Sequence, residues 1–65
     1  MSVIVNGQLQ SLPEPSTVAA LLLALAPAAP FAVARNEEFV PRAAYKECSI
    51  QPGDRIDIVH PTAGG

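Results

Sequence analysis

The chain has 65 residues with four basic and six acidic side chains, a net charge of −2, and only two Phe and one Tyr as aromatics. That length holds one domain, and with no basic cluster and so few aromatics it gives no support to nucleic-acid binding. A single cysteine, Cys48, and a single histidine, His60, exclude an internal disulfide and a structural zinc site, so the core must be dry and mostly aliphatic.

Taken in order, Ser2 to Val5 reads as a strand with Val3 and Val5 on one face and Ile4 on the other. Asn6-Gly7 is a strong hairpin signal, because both residues tolerate the positive φ of a type I′ turn. Gln8 to Leu12 returns as the second strand, which Pro13-Glu14-Pro15 ends, since proline cannot donate to a ladder.

Ser16 is the predicted N-cap of a helix from about Thr17 to Leu25. Val18, Leu21, Leu22 and Leu25 fall at i, i+3, i+4 and i+7, one apolar stripe. Leu23 lies off the stripe, as a second buried position or a small exposed patch. Pro27 and Pro30 stop the helix. Residues 18–34 contain only apolar residues and prolines. The prolines interrupt a run that a membrane span would need unbroken for about 20 residues. A signal peptide needs a positive region first, yet the segment before this run has Glu14 and no Lys or Arg. The expectation is a soluble, cytoplasmic chain.

Phe31 to Arg35 is a third strand, Asn36-Glu37 a tight turn, and Glu38 to Val40 a short fourth strand. Ala43 to Ile50 reads as a turn of helix or 3₁₀ structure with Tyr45 and Ile50 inward. Cys48 is a half-buried filler: it has no neighbouring histidine or positive surroundings to activate a thiolate. Pro52-Gly53-Asp54 is a turn, and Arg55 to His60 a last strand with Ile56 and Ile58 on one face and Asp57 on the other. If the first and last strands pair side by side, they run parallel at the centre of a mixed sheet of about five strands. The helix then covers the face carrying Val3, Val5, Ile56 and Ile58. That is the β-grasp arrangement, an α+β two-layer fold.

Residues 1–61 are thus the expected domain, and residues 62–65 a flexible tail ending on Gly64 and Gly65. Chemistry on a C-terminal carboxylate inside another protein needs a thin lead. Glycine supplies one, because without a Cβ it adopts nearly any backbone angle. Six residues beyond Val59 span at most about 20 Å.

These pieces together resemble the ThiS sulfur carrier proteins of thiamine biosynthesis, which are ubiquitin-like β-grasp proteins. The resemblance is carried by Val5-Asn6-Gly7, by Thr17-Val18 with Leu21, Leu22 and Leu25, and by Ala32-Val33-Ala34 before Asn36. Val40-Pro41-Arg42, Gly53-Asp54 and Ala63-Gly64-Gly65 complete it. Leu23 and the alanine-rich Ala24 to Ala29 depart from the more polar helix end usual there.

The resemblance implies a carrier, not an enzyme. An adenylating enzyme of the ubiquitin-activating type (ThiF-like) joins the Gly65 carboxylate to AMP from ATP. Sulfur from a persulfide, charged by a donor such as a cysteine desulfurase, then replaces AMP. The resulting thiocarboxylate feeds a thiazole synthase (ThiG-like). The residues agree with that division of labour. No Walker-type loop is present to bind ATP, so no bound cofactor is expected. No Ser-His-Asp or Cys-His set is present for acyl chemistry. A partner that takes in the tail must first hold the strand leading to it, so Val59, Pro61, Phe39 and Arg42 are the expected docking residues. Alternatives with the same tail are the small subunit of molybdopterin synthase, a ubiquitin-like modifier, a carrier for tRNA thiolation, and a binding module with an incidental diglycine.

Overall fold

The computed structural model describes residues 1–61. Its strands are β1 (Ser2–Val5), β2 (Gln8–Ser11), β3 (Ser16–Thr17), β4 (Ala32–Arg35), β5 (Glu38–Val40), β6 (Ser49–Ile50) and β7 (Arg55–Val59), with one α-helix, α1 (Val18–Leu25), and a 3₁₀ turn over Arg42–Ala44. Five strands form one sheet in the order β2-β1-β7-β4-β5. β1 and β7 run parallel, and β7 and β4 antiparallel. With α1 on one face this is the β-grasp fold expected above.

Both hairpins form where the turn residues place them. Asn6 and Gly7 have φ of 50° and 80°, and Asn36 and Glu37 have 51° and 70°, the left-handed values a type I′ turn requires. Each asparagine does a second job. Asn6 Oδ1 accepts from the Ile58 N–H at 2.7 Å, which carries the β1–β7 seam one step past the end of β1. Asn36 Oδ1 accepts from the Arg55 N–H at 2.9 Å, while its own N–H donates to the Arg55 carbonyl at 2.8 Å. The last strand is therefore braced from both sides by the two hairpin turns. Asp54, buried just before it, accepts from Asn36 Nδ2 at 3.1 Å and from the Gln51 N–H at 2.8 Å. A buried carboxylate needs such donors.

The core lies between the sheet and α1. Val3, Val5, Val33, Val40, Ile56 and Ile58 of the sheet and Val18 and Leu21 of the helix are buried with Ile50. Removing each such side chain from water contributes about 1.5–3 kcal/mol.

The helix start differs from the expectation. Thr17, not Ser16, is the N-cap: its side chain accepts from the Ala20 N–H at 3.2 Å. Ser16 is withdrawn into β3, paired with Ile50, and its hydroxyl donates to the Pro13 carbonyl. The next helix amides find partners in a distant segment, Val18 N–H on the Cys48 carbonyl (2.9 Å) and Ala19 N–H on the Tyr45 carbonyl (3.0 Å). These bonds satisfy amides that a helix start leaves free, and they pin α1 to residues 45–48. Its other end closes on Ala26 at φ 48°, whose N–H donates to the Leu22 carbonyl. Residues 43–50 accordingly form no continuous helix. They are a 3₁₀ turn, further turns, and the two-residue strand β6, with Ile50 buried and Tyr45 half-buried.

The leucine stripe is only partly inside. Leu21 is buried, Leu22 half-buried, and Leu25 and Leu23 exposed. α1 has eight residues, about two turns, so its last turn has no sheet beneath it to cover Leu25.

Candidate functional site

β7 is the strand that leads to the tail, and it is the middle strand of the sheet. Its inner positions, Ile56 and Ile58, sit in the core, and its outer positions are Arg55, Asp57 and Val59. Pairing registers extend that outer face across the sheet. Leu9 lies opposite Ile4, and Ile4 beside Arg55. Asp57 lies opposite Ala34, Ala34 opposite Phe39, and Val59 opposite Ala32. Ile4, Leu9, Phe39 and Val59 are all large exposed hydrophobics. Between the two apolar halves stands one ion pair, Arg55 Nε to Asp57 Oδ2 at 3.1 Å. The face is thus apolar at both flanks and internally neutralised in the middle.

The expected docking residues divide between two places. Val59 and Phe39 share the open sheet face, and Pro61 is exposed just beyond β7. Arg42 is exposed on the 3₁₀ turn after β5, beside a hollow that it lines together with Phe39 and Tyr45. Val59, opposite the core, is an exposed patch and not a position hidden by a loop. Phe31 packs its ring edge-on to His60, with centroids 6.3 Å apart and planes at 61°, and so holds the root of the tail against the start of β4. Gly64 and Gly65 lie outside the described residues.

Sequence reasoning missed the two asparagine side chains that hold β7 in register. Their turn positions were legible, but a turn motif does not reveal which strand runs beside it. Cys48 is half-buried, consistent with a filler. Among the described residues no group of three His, Cys, Asp or Glu side chains could hold a metal ion, and no helix is long and apolar enough to cross a membrane.

The likeness to known proteins agrees with this geometry. A profile of the ThiS family matches residues 3–65. A crystal structure of a thiamine biosynthesis protein (ThiS) from Geobacter metallireducens superposes with a TM-score of 0.87 at 29% identity, covering all of both chains. A solution structure of a thiamine biosynthesis protein from the same organism gives 0.80 at 29% identity, over all of this chain and 88% of that one. A thiazole synthase from Paramagnetospirillum magneticum is 35% identical over the whole of this chain, which spans only 20% of that protein's length. The chain belongs to the ThiS family.

Proposed function

We propose that the chain is a sulfur carrier in thiamine biosynthesis whose reacting group is the carboxylate of Gly65. A carboxylate is a poor acyl donor until its oxygen becomes a good leaving group. A partner enzyme supplies that by joining it to AMP from ATP with release of pyrophosphate. The outer sulfur of a persulfide then displaces AMP to give an acyl disulfide. A thiol cleaves its S–S bond, which releases the thiocarboxylate and forms a disulfide. The thiocarboxylate is the sulfur source for a thiazole synthase. The chain is a cosubstrate in each step.

One observation carries this reading: the ThiS-family match continues past the domain through Gly64 and Gly65. The open sheet face fits the same role. Docking uses folded surface, and β7 joins that surface directly to the segment that reacts. Val59, Phe39 and Pro61 are the contacts proposed for the adenylating enzyme.

The test separates docking from chemistry. Deleting Gly65 withdraws the carboxylate by about 3.3–3.6 Å at full extension. A misplacement of about 1 Å already costs roughly a hundredfold in rate. ATP–pyrophosphate exchange with the cognate adenylating enzyme is therefore expected to fall at least a hundredfold, with binding to that enzyme nearly unchanged. Near-normal exchange without Gly65 would overturn the carrier reading. Intact mass of protein from sulfur-replete cells, showing one terminal oxygen exchanged for sulfur, supports it independently.

A further inference from the structure

Helix α1 and the segment it is pinned to leave a trough of about 650 Å³ between them, lined on its apolar side by Leu22, Leu23, Phe31 and Tyr45. Leu23 is 84% exposed, so this leucine contributes almost nothing to the core. Two of the chain's four basic side chains, Arg42 and Lys46, also line the trough, and no acidic side chain does. Their situation differs from that of the other two. Arg35 stands 3.9 Å from Asp54 and Arg55 3.1 Å from Asp57. Neither Arg42 nor Lys46 has an ion-pair partner among the described residues. The sheet face is neutralised internally, whereas the trough presents apolar surface with charge of one sign.

The trough also reaches the root of the tail. Phe31, Arg42 and Tyr45 line a second hollow, of about 290 Å³, with Ala32 and Phe39. Ala32 is the register partner of Val59, and Phe31 packs on His60. A partner seated there would hold the residues immediately before the tail.

We propose that this trough is the docking site for the thiazole synthase, which seats in it an apolar segment flanked by carboxylates. The inference rests on the sulfur-carrier reading. Charge of one sign selects the acidic character of the segment, since like charge at a contact is penalised and unlike charge favoured. The choice of partner comes from the Paramagnetospirillum magneticum thiazole synthase, in which a stretch similar to this whole chain is part of the same polypeptide as the remainder of that protein. With the adenylating enzyme proposed to meet the open sheet face, the two partners use surfaces that adjoin at Phe39, beside one tail.

The experiment titrates the full chain with the thiazole synthase of the same cell, comparing the parent with Leu23→Asp, Lys46→Glu and the double variant. Leu23 and Lys46 are exposed, and thermal unfolding of each variant checks that the fold is kept. The double variant is expected to bind the synthase at least about tenfold more weakly, and the parent's affinity, unlike the variant's, to fall as salt screens the contact. Sulfur loading by the adenylating enzyme, read by intact mass, is expected to be unchanged in all three variants. Parent-like binding by the double variant overturns the trough assignment. A parent that loads sulfur yet binds no synthase overturns the choice of partner, while a parent that never loads sulfur overturns the carrier reading beneath it. Self-association of the parent, abolished by Leu23→Asp, would make the trough a contact between two copies and overturn the proposal.

Discussion

On β7, Ile56 is fully buried and Ile58 is 9% exposed, while Val59, the next residue, is 58% exposed; on β5, Val40 is 6% exposed and its neighbour Phe39 is 70% exposed. The same kinds of side chain thus stand on both faces of one sheet. The difference is what lies over them. A strand sends successive side chains to opposite faces, and α1 covers only one. Hydrophobicity alone therefore does not say whether a residue holds the fold together. On the inner face it does. On the outer face Ile4, Leu9, Phe39 and Val59 form an apolar surface around an ion pair, and this clustered exposure is what supports the docking role proposed for it.

The comparison breaks first, and hardest, on the inner face. Ile56→Ala leaves a cavity in the buried cluster that includes Val3, Val5 and Val33, and the expected cost is about 2–5 kcal/mol. A 65-residue domain has a total stability of only roughly 3–10 kcal/mol. Urea unfolding checks this, and a loss below about 1 kcal/mol would mean that the core lies elsewhere.

Next comes the seam between β1 and β7. Asn6→Ala removes the acceptor of the Ile58 N–H and puts alanine at a φ of 50°. The expected cost is about 1–3 kcal/mol, from an unsatisfied donor and a left-handed backbone together. Asn6→Asp, which accepts in the same way and tolerates that conformation, is expected to restore most of it. Amide exchange at Ile58 reads the seam directly: it should quicken in the alanine variant and slow again in the aspartate variant.

The smallest change in stability belongs to the outer face, where Phe39→Asp and Val59→Asp are each expected to shift unfolding by no more than about 0.5 kcal/mol. Their effect should appear in docking instead. Truncated anchor residues at interfaces lose more than about 1 kcal/mol, so affinity for the adenylating enzyme should weaken at least about fivefold. Destabilisation like that of Ile56→Ala would erase the distinction between the faces. Unchanged affinity would remove Val59 and Phe39 from the docking surface.

What was readable in the chain itself is what is encoded locally. Asn6-Gly7 and Asn36 mark their turns because few residues tolerate positive φ, whereas Glu37, at φ 70°, is not such a residue and is held there by the hairpin. The alternation in Ser2–Val5 and Arg55–Val59 marks the two central strands, because a sheet buried on one face requires a period of two. From these came the β-grasp order and the inner-face core. The family motifs at the end of the chain pointed to the chemistry, although residues 62–65 are not among those described. Other features had no local code. α1 reads VAALLLAL, without one polar residue to orient it; spacing put Leu21 on the stripe and Leu23 off it, but only packing decides that Leu25, on that same stripe, is exposed. Ser16 and Thr17 are both good caps. Thr17 becomes the cap because β3 pairs with β6 and draws Ser16 away, and a pairing of two-residue strands is too short to show a period. The trough exists because Val18 and Ala19 bond to carbonyls more than twenty residues along the chain. Only the folded chain could bring Arg42 and Lys46 to the edge of Leu23, since that placement depends on contacts between distant segments and not on the residues beside them.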